Sequence, residues 1–200
     1  MSKTVLYMSM SLDGFIAGPN DGPGNGLGDG GHRLHEWFLT SAGASHDRAR
    51  DHLAGVNREV MDEVMSTGAV VVGRRTFELA GGWGGDHHDG VPIFVMSRHQ
   101  PDVAMRWPAV TYVHDVADAV HRAKVAAGDK DVLVHGAVTA QRALTAGVLD
   151  ELQIHLVPVL FGQGRRLFED MPPDHIELEL LRAVDGPDVQ HLRYRVRAGG

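Results

Sequence analysis

The stretch Ala69–Glu78, AVVVGRRTFE, decides the fold. Four small or β-branched apolar residues run into Gly73, and Arg74, Arg75 and Thr76 follow before the amphipathic turn Phe77-Glu78-Leu79. A continuous apolar run this short, closed by glycine, predicts a strand buried on both faces of a sheet. The residues after it predict the first turn of a helix, whose unpaired N–H groups and dipole suit phosphate. Arg74 and Arg75 add charges that do not titrate away, and Thr76 adds a hydroxyl donor. Two readings stand on these residues alone: a phosphate-binding turn, and a solvated arginine pair on an ordinary strand–helix turn.

Outward from this turn, the upstream segment Asp47–Ser66 predicts a helix whose stripe of Val56, Val60, Met61, Val64 and Met65 packs toward the core. Downstream, Gly81–Gly90 reads as a flexible loop, with Asp86-His87-His88-Asp89 expected in solvent rather than on a metal. Val91–Met96 is another buried-type strand ending at Ser97-Arg98-His99, and Val110–Val113 is a short strand. Asp115 is a candidate cap for a helix over Val116–Ala127, Val132–Val134 is a strand, and Val138–Ala146 is a helix ended by Gly147.

Toward the N-terminus, Thr4–Met10 predicts a first strand, then the turn Ser11–Gly14 and the apolar continuation Phe15-Ile16-Ala17. Gly18–Gly31 is glycine-rich and expected to be a mobile lid or surface loop. It holds a formal G-x-G-x-x-G match at Gly26, Gly28 and Gly31, which is discounted because no strand directly precedes it. Arg33–Thr40 predicts a short helix with Leu34, Trp37 and Phe38 on one side. The spacing of His32, His35 and Glu36 fits no common zinc signature, so no metal site is expected. Toward the C-terminus, Asp150–Pro158 is a longer strand, and Ile176–Val184 with Val189–Val196 alternates as a closing hairpin about Asp185-Gly186-Pro187. Strand–helix alternation followed by antiparallel strands predicts one three-layer α/β domain over residues 1–200, with a mixed sheet.

Composition narrows the function classes. Hydrophobic residues make up 43% and charged residues 22% of the 200, which is ordinary for a globular domain. A net charge of -7 argues against a general nucleic-acid or anionic-membrane binder, which needs a basic face. Cysteine is absent, which removes disulfides, thiolate metal ligands and a cysteine nucleophile. With no signal-peptide pattern and no span-length apolar run, a soluble cytoplasmic protein is expected.

These segments together resemble the dihydrofolate reductase-like superfamily, in particular the stand-alone branch similar to the C-terminal reductase domain of bacterial riboflavin biosynthesis. The resemblance rests on Ser11-Leu12-Asp13-Gly14-Phe15-Ile16-Ala17, Gly73-Arg74-Arg75-Thr76-Phe77-Glu78, Ser97-Arg98, and Gly147–Leu152 through Pro158, Gly162, Gly164 and Leu167-Phe168, in that order. It implies a three-layer fold with a central mixed sheet flanked by helices and a C-terminal antiparallel hairpin. It implies NADPH as cofactor, with Gly73, Arg74, Arg75 and Thr76 at the 2′-phosphate and pyrophosphate and Ser97 and Arg98 flanking the adenine. Gly136, Ala137, Val138 and Thr139 would accept the remaining phosphate, and Ile16 and Ala17 would cover the nicotinamide. Leu34, Trp37 and Phe38 fall at the substrate side, and Asp13 and His155 are the candidate catalytic residues. In Asp150–Pro158, His155 shares a face with Glu151, Gln153 and Val157. It is read either as orienting substrate or delivering a proton, or as a core histidine bonded to a backbone carbonyl.

The chain departs from the resemblance on the substrate side. Leu34 stands where folate reductases place a carboxylate, and Tyr7 and Val134 stand where riboflavin-pathway reductases carry lysine and glutamate. His135 replaces the first glycine of a pair whose peptide is often cis. The resulting expectation is an NADPH-dependent reductase of a small planar C=N or C=O compound of the pterin or pyrimidine class. The rival is a non-catalytic nucleotide- or heterocycle-binding scaffold. Its partner is expected to be a small molecule, with a homodimer as the assembly open to it.

Overall fold

A computed structural model describes residues 2–39, 52–99, 107–169, 171–172 and 174–197. Its frame is an eight-stranded sheet. Strands β1 (Thr4–Ser11), β3 (Ala69–Gly73), β4 (Ile93–Met96), β5 (Val110–Val113), β6 (Val132–His135), β7 (Glu151–Val157), β9 (Leu178–Gly186) and β10 (Val189–Val196) follow the spatial order β5-β4-β3-β6-β1-β7-β10-β9. The first six in that order run parallel, and β10 and β9 close the sheet antiparallel. The expected three-layer dihydrofolate reductase-like fold with its mixed sheet and final hairpin is the fold observed.

Period two sorts even an all-apolar strand onto two faces. In β3, Ala69 and Val71 join one core, while Val70 and Val72 join the other. On the first face lie helices α3 (Val116–Ala127) and α4 (Ala137–Thr145), whose buried Ala119, Ala123, Ala140 and Ala143 let their backbones approach the strands closely. On the second lie α1 (Gly55–Met65), the short α2 (Arg74–Leu79), Leu34, Trp37 and Phe38. The Asp115 side chain caps α3 by accepting the Asp118 N–H at 2.9 Å, as its sequence position suggested. Among the described residues, no helix is long and apolar enough to cross a membrane.

Several local expectations are corrected. Within the segment Asp47–Ser66 the helix begins only at Gly55, because Ala54 is extended at φ -139; residues 47–51 lie outside the described residues. Within Arg33–Thr40 the regular piece is a 3₁₀ turn over Gly31–His35, and Thr40 lies outside the described residues. The hairpin turns at Pro187-Asp188, with Asp188 at φ 58, so Asp185 and Gly186 belong to β9. Gly18–Gly31 is irregular yet densely bonded: Gly18 donates to Leu27 at 2.9 Å, Asp29 to Pro19 at 2.8 Å, and Asn20 and Asn25 both donate to the Asp29 carboxylate. The expected solvated His87 and His88 are 4% and 1% exposed. Their Nδ1 atoms lie 2.8 Å apart, His88 Nε2 reaches the Thr67 carbonyl at 3.1 Å, and Trp83 packs on His87. Every peptide bond between described residues is trans, His135–Gly136 included.

A second, two-stranded sheet holds the expected apolar continuation Phe15–Ala17. β2 (Phe15–Ala17) pairs antiparallel with β8 (Arg165–Arg166), which ties the Ser11–Ala17 segment to the loop after β7.

Candidate active site

The parallel strands β3, β4 and β6 end together. Gly73 is level with Met96 on β4, and Val72 with His135 on β6. The chain leaves β3 into α2 and leaves β6 into α4, so both helix starts stand at one edge of the sheet. The two turns interlock: a Cβ on Gly73 would lie 2.9 Å from Thr139 Oγ1, and one on Gly136 would lie 2.7 Å from Thr76 Oγ1. Gly136 has φ +92, a conformation that side-chain-bearing residues rarely adopt. The first turn of α4 also presents unpaired N–H groups and the positive end of its dipole, a donor set that fits phosphate oxygen. Ala137 and Thr139 are buried, and Val138 is 52% exposed at the mouth of this turn. Ser97, one residue beyond β4, bonds its hydroxyl to the His99 carbonyl at 2.8 Å, and Arg98 is exposed beside it.

The arginines of the AVVVGRRTFE turn are not simply solvated. Arg74 pairs with Glu78 along α2 at 3.2 Å. Arg75 reaches 54 residues back to Asp21, with Nη2 at 2.9 Å and Nε at 3.0 Å from Oδ2. Arg165 on β8 grips the same carboxylate at 3.1 and 3.2 Å. Burial works against ionisation of Asp21, yet hydrogen bonds from Arg165 and Arg75 hold its carboxyl below the usual range. Grooves of about 250 and 400 Å³ flank this clamp, one lined by Asp21, Gln163 and Arg165 and the other by Pro23, Arg75 and Glu78.

Asp13 is a second clamp. It accepts the Ser11 hydroxyl at 2.6 Å, the Phe161 N–H at 3.1 Å and the Gly162 N–H at 2.7 Å. The Ser11 bond and these backbone donors hold its carboxyl down at about 2. A carboxylate so held stays ionised near neutral pH, and its bonds tie the end of β1 to the loop after β7.

β6 stops at His135, level with Tyr7, while β1 and β7 continue together from Met8–Ile154 to Ser11–Val157. Beyond Tyr7, then, β1 has lost its neighbour on the β6 side, and the sheet opens. His155 stands at this level, paired with Ser9 on β1 and His191 on β10. It is 3% exposed, with the Trp37 ring 4.7 Å away and the Tyr7 ring 6.5 Å away. Its Nδ1 lies 2.8 Å from His191 Nδ1, a side-chain partner where a backbone carbonyl was the expected alternative. Burial, reinforced by His191, His135 and His35, pushes His155 well below its ordinary range and favours the uncharged imidazole. Leu34, Trp37 and Phe38 are brought to the same region, though Leu34 is fully buried and Trp37 and Phe38 nearly so. Ile16 and Ala17 lie in β2, also buried. His191 and Asn57, which the sequence reading missed, stand beside His155: strand register brings His191 opposite it, and packing of α1 brings Asn57 to His191 Nε2.

The RibD C-terminal domain family matches residues 2–190. Among solved structures, a candidate riboflavin biosynthesis protein of Shewanella sp. PV-4 superposes with TM-score 0.70 at 19% identity, over 99% of this chain and 100% of its own. A diaminohydroxyphosphoribosylaminopyrimidine deaminase/5-amino-6-(5-phosphoribosylamino)uracil reductase of Thermotoga maritima gives 0.61 at 13% identity, over 98% and 57%. Acinetobacter baumannii RibD gives 0.59 at 18% identity, over 98% and 58%. At these identities the likeness is one of fold, and the chain spans under three-fifths of the latter two proteins. No curated sequence matches the chain.

Proposed function

The chain belongs to the RibD C-terminal domain family, and from that premise we propose that it is an NADPH-dependent reductase of a small planar heterocycle, acting on a C=N or C=O bond. What carries the reading is the interlock of the two strand-end turns, where Gly73, Thr76, Gly136 and Thr139 bring two helix starts against each other at the edge of the parallel sheet. Phosphate is the ligand such paired donor sets suit. Arg74, Arg75, Thr76 and Arg98 hold the 2′-phosphate end of the cofactor, Ser97 stands on its adenine side, and Gly136 through Thr139 take the pyrophosphate. Ile16 and Ala17 wall the nicotinamide. When bound, the reduced nicotinamide would supply a hydride, and solvent the proton that completes reduction of the C=N or C=O bond.

On the substrate side, Trp37 and Phe38 form an apolar wall with Leu34 behind them, and His155 offers a hydrogen bond across the opening beside β1. The experiment is a titration of the chain with NADPH and NADH by nicotinamide fluorescence. A charge-assisted hydrogen bond contributes roughly 1.5–3 kcal/mol, so NADPH should bind at least about tenfold more tightly. Equal affinities would overturn the assignment of the arginines. A screen of pterins and pyrimidines for loss of reduced-nicotinamide absorbance tests turnover, and absence of any oxidation would leave only the binding-scaffold reading.

A further inference from the structure

A buried side-chain chain runs behind the substrate side of the site. Asn57 on α1 donates from Nδ2 to the Trp37 carbonyl at 3.2 Å, and a carbonyl can only accept. That fixes the amide orientation, so Asn57 Oδ1, 3.0 Å from His191 Nε2, is the acceptor of a His191 Nε2–H. A neutral His191 protonated on Nε2 has a lone pair on Nδ1. The 2.8 Å contact between the two Nδ1 atoms then requires His155 to supply the proton. His155 Nε2 is left as a lone pair, with no protein partner among the described residues.

The surroundings hold this arrangement in place. Asn57 is 5% exposed and His191 fully buried, and Trp37 packs 4.7 Å from His155 and 4.9 Å from His191. Gly186 makes room for the Asn57–His191 bond, since a Cβ there would collide with Asn57 Oδ1. Trp37 is itself fixed by donating to Ser9 Oγ at 2.9 Å.

We propose that Asn57 and His191 are positioning residues that lock His155 as the Nδ1–H tautomer, so that its Nε2 meets the bound heterocycle as a hydrogen-bond acceptor and selects rings bearing an N–H donor on that edge. The assignment of a heterocycle rests on the reductase reading; the tautomer does not. The lock holds through neutral pH: burial pushes His155 well below its ordinary range and His191 down to about 4, with Arg182 pushing His191 the same way and Glu63 opposing it. The titratable and charged groups facing the pair are Tyr7 on β1, His35 on the 3₁₀ turn, Glu63 on α1, His135 on β6 and Arg182 on β9.

The test begins with long-range proton–nitrogen NMR on the chain carrying ¹⁵N-labelled histidine at pH 7. His155 should show a protonated Nδ1 and a bare Nε2, and His191 the reverse. His191→Phe should release His155 toward the Nε2–H form with far-UV circular dichroism unchanged. A wild-type His155 that is charged or protonated on Nε2 overturns the proposal, whether or not His191→Phe folds. Uracil and 1,3-dimethyluracil are then titrated into the NADPH-loaded chain. Uracil should bind at least tenfold more tightly, and equal binding, or none by either, overturns the donor selection. Failure of the unliganded chain to bind NADPH would instead sink the reductase reading and leave the tautomer result standing.

Discussion

Gly136 and Thr76 occupy one space: a Cβ on the glycine would stand 2.7 Å from the threonine hydroxyl oxygen, at a backbone φ of +92. Gly136→Ala should therefore lower stability by about 1–3 kcal/mol from backbone strain alone. It should also weaken NADPH at least tenfold by spreading the turns of β3 and β6. Gly147, which also has positive φ but nothing within 4 Å of its Cβ, is the control. Gly147→Ala should cost about 1 kcal/mol and leave NADPH affinity within about threefold. Urea unfolding and fluorescence titration read both; equal losses of affinity in the two variants would remove the turn from the cofactor site.

Asp13 should prove to be a clamp and not an acid. Its carboxyl is depressed to about 2, chiefly by the Ser11 hydroxyl and the backbone N–H groups of Gly162 and Phe161. A carboxyl depressed in the folded state stabilises above its unfolded value near 3.9, and that contribution fades as pH falls through about 2. Asp13→Asn should lower the melting temperature at pH 7 and flatten the decline between about pH 4 and 2. NADPH affinity should stay within about threefold of wild type. A melting curve unchanged by the substitution would end this assignment.

The histidine pair makes a prediction of the same sign in a milder acid range. His191 is held at about 4, mostly by burial, while an unfolded histidine takes a proton near 6.5. The unfolded chain thus binds more protons between these values, and stability should fall as pH drops from about 6.5 to about 4. A shift of this size corresponds to on the order of 3 kcal/mol. His191→Gln should remove much of this slope, though the variant is less stable at pH 7. Denaturant midpoints at half-unit pH steps measure it, and a slope identical to wild type would show that the pair does not titrate as described.

Much of the frame was legible because its signals are local. The run Ala69–Val72 ended by Gly73 could only be a buried strand, Asp115 marked the start of α3, and alternation in Val189–Val196 marked β10. The two interlocking turns were legible where glycine and threonine recur at strand ends. What stayed hidden depends on register and on distant partners. Arg165-Arg166 has no strand pattern, and it is a strand only because Phe15–Ala17 lies opposite. Asp21 meets Arg75 across 54 residues, and His155 meets His191 across 36. A slip of one residue between β7 and β10 would put the two histidines on opposite faces. His87 and His88 read as solvated because their partners, Thr67 and Trp83, were not yet known to surround them.

The last prediction concerns substrate. Among the chain's departures from the riboflavin-pathway resemblance, Tyr7 stands in place of a lysine and Val134 in place of a glutamate, and both positions here are built into the core. Tyr7 is 3% exposed, and burial pushes its phenol up to about 12, so it stays neutral. Val134 is fully buried in the apolar cluster with Leu6, Val71 and Leu152. The chain should therefore not support growth of a strain lacking the ribosylaminopyrimidine reductase, and robust complementation would overturn this. Restoring the pathway residues should not rescue it. A carboxylate at Val134 would be buried among aliphatic side chains, and Val134→Glu should cost roughly 3–5 kcal/mol, as an uncompensated buried charge does. A Tyr7→Lys, Val134→Glu chain that folds with wild-type stability and gains the activity would show that specificity is separable from the core; loss of the folded state, read by urea unfolding, is the expected result.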